Sequence, residues 1–334
     1  MKGLAKIKQL LSEPKKIVIT THNRPDGDAI GSSLGLYHFL RATTHDVSVV
    51  VPTEYPAYLH FLPDDEKVVS YLDELGKTQE LISEADIIFF LDFSVRSRCD
   101  VTQQLSLNSS AIKIVIDHHL GPEHFGHYEL WDTSASSAAE LIYRFIELQD
   151  GLTKINEKAA ACLYTGIVSD TGRFKYNVTD RVHRIATDLV VKGADAEAIN
   201  TALFDNYTER RLRFLGTCLT TCMTVLPEYN AAIMAIPEKM LVEFKVQSGD
   251  TGGLVNYLLS MSSIRFAALI MDRGEAVKIS FRSRGDFPVN IFSKNHFEGG
   301  GHKNAAGGIS YIDLKATVNK VIGLLPLYKE GLTK

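Results

Sequence analysis

Four short apolar runs rich in β-branched residues recur through the first part of the chain: KIVITT at 16–21, DVSVVV at 46–51, DIIFFLD at 86–92 and AIKIVID at 111–117. Each is nearly continuous rather than alternating, as a strand buried on both faces of a parallel sheet requires. Between and after them apolar residues recur at helical spacing, which predicts helices over about 28–42, 65–83, 136–149, 156–169 and 180–192. Alternation of this kind predicts an α/β domain with a parallel sheet and helices on both faces. From 196 to 228 the pattern is helical and charged, with TERRLRF in its middle, and reads as a connector. NAAIMAIP, RFAALIMDR and AVKISFRS then predict strands of a smaller C-terminal α/β domain, which carries the glycine-rich EGGGHKNAAGG at 298–308. The expected organisation is a first domain over 1–195, a helical connector over 196–228 and a second domain over 229–334.

Composition narrows the class. At 334 residues, 45% hydrophobic and 23% charged, the chain suits an ordinary globular protein of two domains. No apolar run approaches the roughly 18 residues of a membrane span. The start, MKGLAKIKQLLSEPKK, is amphipathic and lysine-rich without the continuous apolar segment of a signal peptide. Cys99, Cys162, Cys218 and Cys222 show no disulfide spacing, and the last two, one helical turn apart, read as core. The expected location is the cytoplasm, with no membrane partner. A net charge of −4 argues against a general grip on long nucleic acid. The charge is uneven: residues 229–334 hold 13 Lys+Arg against 9 Asp+Glu, and the remainder 23 against 31. An acidic metal-binding part paired with a basic anion-binding part would look like this.

The informative residues stand where the strand signals stop. KIVITT runs into HNRPDGDAIG, with His22, Asp26 and Asp28; FFLD ends in Asp92; IKIVID ends in Asp117, His118 and His119; and GIVSDTGRF holds Asp170. In open parallel sheets ligands bind beyond the carboxyl ends of the strands. Taken singly, each residue has an ordinary role: Pro-Asp-Gly is turn chemistry, Asp28 or Asp92 a helix cap, His118–His119 a hydrogen-bonded strand end, Asp170 a turn residue. Together, four aspartates brought to one rim repel one another unless cations lie among them. Imidazole mixed with carboxylate suits a divalent transition ion, and the missing thiolates argue against a structural zinc site.

The order His22-x3-Asp26-x-Asp28, Asp92, Asp117-His118-His119 and Ser169-Asp170-Thr171-Gly172 resembles the DHH phosphoesterase superfamily, and GGGHKNAAGG resembles the associated DHHA1 domain. The resemblance spans nearly the whole chain, in order. It is strongest to the stand-alone nanoRNase and pAp phosphatase branch, which shortens very short RNA and dephosphorylates 3′-phosphoadenosine 5′-phosphate. It implies two divalent metal ions, Mn²⁺ in the first place with Mg²⁺ as the alternative. His22 and Asp26 would hold one ion, Asp28, His118 and Asp170 the other, and Asp92 would bridge them. Asp117 would orient an imidazole, and His119 would face the substrate phosphate as a catalytic group. Two metals about 3.5–4 Å apart lower the pKa of a shared water, so the implied reaction is in-line attack of hydroxide on phosphorus.

For the second domain the resemblance implies substrate binding. Gly299, Gly300 and Gly301 let backbone approach an anion, His302 and Lys303 add polar and cationic contacts, and Arg282 offers a planar fork for phosphate. Arg96 and Arg98 are weaker phosphate candidates. The implied partners are short RNA oligonucleotides, linear dinucleotides or a mononucleotide bisphosphate, and a homodimer is the assembly the branch suggests. Two alternatives stand beside this reading. An inorganic pyrophosphatase or exopolyphosphatase of the same superfamily would share the metal half but show an Arg-Lys-Lys cluster, which is missing. A non-catalytic nucleotide-binding regulatory module would not need every ligand type to be present.

Overall fold

In the computed structural model, which describes residues 3–98, 103–247 and 249–333, the chain divides into two compact units, one ending at Asn206 and the other starting at Tyr207. The first is built on β1 (Lys16–Thr21), β2 (Asp46–Val51), β3 (Val69–Ser70), β4 (Ile87–Leu91), β5 (Ile112–Asp117) and β6 (Tyr128–Trp131). These lie in the order β3-β2-β1-β4-β5-β6, every pair parallel. The continuous apolar runs follow from burial on both sides. On β4, Ile87, Phe89 and Leu91 enter one core, and Ile88 and Phe90 enter another. The first core is filled from the helices Gly27–Arg41, Ala138–Leu148 and Glu157–Thr171; the second takes Ile82 from the helix Leu75–Glu84.

The observed helices Gly27–Arg41, Ala138–Leu148, Glu157–Thr171 and Asp180–Val191 lie within about two residues of the expected ones. The segment 65–83 differs. It breaks into a 3₁₀ turn at Asp65–Lys67, the strand β3 and the helix Leu75–Glu84, because Val69 pairs with Val50 at the sheet edge. Strands β3 and β6 are too short to show as apolar runs.

Within 196–228, the helix Ala196–Phe204 packs Ile199 and Leu203 into the first core, and the helix Glu209–Thr221 packs Phe214 and Cys218 into a core of the second unit. Cys218 is buried there and Cys222 half-buried, while Cys99 lies outside the described residues.

The second unit carries β7 (Met223–Leu226), β8 (Ala231–Ile236), β9 (Phe266–Asp272), β10 (Val277–Ser283), β11 (Gly300–His302) and β12 (Ala305–Ser310), in the order β11-β12-β10-β9-β8-β7. The β8–β9 pair is parallel and the others antiparallel. One sheet face is apolar across β8, β9 and β10, where Ile233, Phe266 and Phe281 meet Phe292 and Val321. The opposite face is apolar over β8 and β9, under Phe214 and Leu258. The glycine-rich run is a β11–β12 hairpin rather than an open loop. Among the described residues no helix is long and apolar enough to cross a membrane.

Candidate metal centre

Strand order makes the site. From β1 the chain moves to β2 and β3 on one side and later to β4, β5 and β6 on the other, so the crevice between β1 and β4 is the switch point where such sheets bind ligands. Thr21 lies opposite Leu91, and Leu91 opposite Ile116, so His22, Asp92 and Asp117 emerge at one level along the carboxyl edge. Asp92 is at the centre. Its backbone is left-handed, with φ 63°, a region aspartate tolerates better than most residues and one often held at functional sites. Asp92 Oδ2 stands 3.3 Å from His22 Nε2, and Oδ1 stands 3.4 Å from His118 Nε2. His118 Nε2 is also 3.6 Å from Asp170 Oδ2 and 3.9 Å from Asp28 Oδ2.

The remaining acids arrive on helices. Asp26, rather than Asp28, caps the helix Gly27–Arg41: its Oδ1 accepts from the amides of Asp28 (3.0 Å) and Ala29 (3.1 Å). Asp28, in the first turn, is buried and accepts from the amides of Ala138 (2.6 Å) and Ala139 (2.9 Å) at the start of the helix Ala138–Leu148. Asp170 sits in the last turn of the helix Glu157–Thr171, so it reaches the rim from a helix and not from a strand end or a turn. The expectation that every acid occupies the same structural position therefore fails for Asp28 and Asp170. Their two helices touch almost backbone to backbone. A Cβ on Gly31 would lie 2.6 Å from Cys162 O and 2.7 Å from Gly166 N, and one on Gly166 would lie 2.9 Å from Asp28 Oδ1. Only glycines allow this approach, and it brings Asp28 and Asp170 to the same imidazole.

The charges are unbalanced without a cation. Burial lowers the affinity of His118 for a proton, yet Asp92, Asp170 and Asp28 outweigh it and push the imidazole up to about 10. His22 is raised in the same way, against its burial, by Asp92 and Asp26. Asp28 is pushed well up by burial and by the charges of Asp92 and Asp170. Asp170 is raised to about 7 by partial desolvation and by Asp92 and Asp26, against the pull of His118. Asp92 is held low, because His118 and His22 overcome its burial. Each shift favours added positive charge around Asp92.

The residues present fit metal ions. Donor atoms of His22, Asp26 and Asp92 lie within 4.8 Å of one another, and so do those of Asp28, Asp92 and His118, with Asp92 common to both groups. His22 Nε2 and Asp92 Oδ1 are buried without a hydrogen-bond partner, an expensive arrangement unless a cation satisfies them. His22 Nδ1 donates to Asn23 O (2.9 Å), which leaves Nε2 with the lone pair a metal takes. A third group, Asp92, Asp117 and His119, is equally close, but His119 Nδ1 is committed to Asp117 Oδ1 at 2.7 Å. The imidazole that Asp117 hydrogen-bonds is therefore that of His119. Sequence reasoning missed Ser94, whose hydroxyl donates to Asp117 Oδ2, and Trp131, whose indole N–H donates to His119 O at 2.7 Å. Trp131 carried one signal, being the single tryptophan of the chain. Arg96 Nε lies 3.6 Å from Glu123, and Arg98 Nη1 lies 3.4 Å from Asp92 O.

In the second unit, Arg282 lies opposite Ala305 and Ala305 opposite His302, so Arg282 and His302 share one face across three strands. Ser280, Gly307 and Gly300 form the neighbouring row on that face. It is the continuation of the face that is apolar over β8 and β9, here turned polar. Gly299 and Gly301 are required by packing, since a Cβ would lie 2.0 Å from Gly307 O and 2.5 Å from Ala305 O. Gly300 differs: nothing lies within 4 Å of the position its Cβ would take. Lys303 is ion-paired with Asp286 at 2.8 Å.

Residues 16–167 match the N-terminal domain of the DHH family, and residues 230–323 match the DHHA1 domain. The chain is 30% identical over 299 residues to the bifunctional oligoribonuclease and PAP phosphatase NrnA of Bacillus subtilis, covering 88% of this chain and 89% of that protein. It is 31% identical over 339 residues to the protein of the same name from Thermus thermophilus, covering 100% of this chain and 95% of that one. A crystal structure of an exopolyphosphatase-related protein from Bacteroides fragilis is 36% identical with a TM-score of 0.95, over 99% of this chain and 97% of that one.

Proposed function

The chain belongs to the DHH family and is a phosphoesterase, and from that premise we propose that it hydrolyses very short oligoribonucleotides and 3′-phosphoadenosine 5′-phosphate to mononucleotides. The observation that carries the reading is Asp92, a buried carboxylate shared by two sets of metal donors. His22 and Asp26 complete one set; Asp28, His118 and Asp170 complete the other. The mixture of imidazole and carboxylate favours Mn²⁺ over Mg²⁺. Two such ions, when bound, would supply hydroxide near neutral pH and neutralise phosphoryl oxygens.

The chain's own residues do the rest. Asp28 is pinned by two amides, so its carboxylate is set before substrate arrives. Asp117 holds His119 by Nδ1, which turns Nε2 toward the reacting phosphate to steady the developing charge or to protonate the leaving oxygen. In the second unit, Arg282 and His302 would grip a nucleotide's phosphate over the glycine floor at Gly300 and Gly307, where close approach of a ligand meets no side chain. Gly299 and Gly301 would keep that floor in shape, and Lys303 would add charge at its rim.

The test is to incubate the protein with Mn²⁺ and, separately, a linear dinucleotide, a five-nucleotide RNA, 3′-phosphoadenosine 5′-phosphate, pyrophosphate and polyphosphate. Release of mononucleotide from the first three, abolished by Asp92→Ala, is expected. Cleavage of pyrophosphate or polyphosphate alone would overturn the reading.

A further inference from the structure

We propose that Trp131 is a stacking platform for the substrate base nearest the scissile phosphate; the inference rests on the nucleotide reading above and adds to it the residue that recognises the base. Trp131 ends β6, the strand beside β5, directly opposite Asp117. Paired residues of neighbouring strands face the same side, so the indole lies on the side where Asp117 holds His119. Its single polar atom is already used: Nε1–H donates to His119 O at 2.7 Å. What the ring still offers is its apolar surface. Trp131 is 39% exposed and Leu120, next to His119, is 50% exposed, so apolar surface stands open beside a centre made of acids and imidazoles. His124 stands at 81° to the indole with 6.2 Å between centroids, so it does not lie flat over the ring.

The separation suits a nucleoside. Two strand spacings, about 10 Å, separate β4, which ends at Leu91 just before Asp92, from β6, which ends at Trp131. A phosphorus held at Asp92 and a base stacked on Trp131 are one sugar apart. Stacking is also tolerant, since every base has a π-face, so such a platform would accept short RNA of any sequence. The hydrogen bond to His119 O gives a second consequence: a base pressed on the indole bears on the main chain of the residue that faces the phosphate.

Because the chain has one tryptophan, its emission reports on this residue alone. Two arms test the proposal. In the first, the Mn²⁺-loaded protein is titrated with AMP and with ribose 5-phosphate, which lacks the base. Quenching by AMP and none by ribose 5-phosphate is expected; no quenching by AMP at concentrations that inhibit turnover, or equal quenching by both, would overturn the platform. In the second, KM for a linear dinucleotide is measured for Trp131→Ala and Trp131→Phe. Loss of stacking predicts a rise in KM of about tenfold or more for Trp131→Ala with kcat changed less, restored to within about threefold by Trp131→Phe. If Phe is as damaging as Ala, the indole N–H to His119 O is the function, and the platform is refuted. If the wild-type protein turns over no nucleotide, the proposed function falls, and the AMP titration still decides the platform when run at AMP concentrations that calorimetry shows to saturate the Mn²⁺-loaded protein: saturation without quenching, or no AMP binding at all, would overturn it.

Discussion

Gly31→Ala tests the claim that a backbone-to-backbone helix contact builds the candidate metal centre. In the helix Gly27–Arg41 alanine gains about 1 kcal/mol of intrinsic helix preference over glycine. The new Cβ, however, would stand 2.6 Å from Cys162 O and 2.7 Å from Gly166 N. Both are main-chain atoms that no side-chain rotation can move, so the helices must part, at a cost of about 3 kcal/mol, the upper part of the overpacking range. The net loss is about 2 kcal/mol, which for a unit of this size lowers Tm by roughly 4–8 °C. The consequence for the site follows from geometry. Asp28 lies one turn before Gly31 and Asp170 one turn after Gly166, so parting the helices separates two acids that converge on His118. If Mn²⁺ binds there as proposed, a concentration of about a hundred times its Kd would stabilise the wild-type protein by about 2.7 kcal/mol, and the increment should shrink in the variant. Thermal unfolding with and without Mn²⁺ measures both effects. A variant as stable as wild type, with the full Mn²⁺ increment, would refute the argument that these glycines set the site.

Asp117→Asn keeps the shape of the side chain but exchanges a charged acceptor for a neutral amide beside His119 Nδ1; kcat/KM should fall about 10–100-fold with Mn²⁺ affinity nearly unchanged, measured by kinetics and calorimetry. Asp132 gives a stability effect apart from the metals. Partial burial pushes its carboxyl up, but Ser134 and Arg144 outweigh this and hold it at about 2. A folded value below the unfolded one gives stability that is complete above about pH 5 and is lost as pH falls through 2, so Asp132→Asn should cost about 2 kcal/mol at neutral pH and about a quarter of that or less near pH 2. Urea unfolding at the two pH values checks it, and an equal gap at both would refute it. Gly300→Ala should leave Tm within about 1 °C, because its Cβ meets nothing, while raising KM for a dinucleotide; a fall in Tm without a change in KM would make Gly300 a packing residue like Gly299.

How much was legible in the sequence can be traced residue by residue. The strands ending before His22, at Leu91 and at Asp117 were visible because a strand buried on both faces leaves a nearly continuous apolar run, a local property. The candidate ligands were visible too, since His22, Asp26, Asp28, Asp92, Asp117, His118, His119 and Asp170 stand in an order that resembles the DHH superfamily. Strands β3 and β6 were not visible: two and four residues carry no period, and they exist only because a neighbouring strand offers its edge. Spacing also could not reveal that Asp26 is the helix cap, that Asp170 arrives from a helix, or that EGGGHKNAAGG pairs with itself as a hairpin.

The sequence by itself determined which residue types end each element, because helix and strand signals act over a few neighbouring positions. Only the tertiary structure decided that β1 lies between β2 and β4, which sets His22 beside Asp92. It alone decided that Gly31 and Gly166 touch, that Ala138 and Ala139 hold Asp28, and that Trp131 reaches His119 from another strand. Those contacts join residues far apart in the chain. Their geometry is fixed by sheet order and helix packing, which no local pattern of hydrophobic and polar residues encodes.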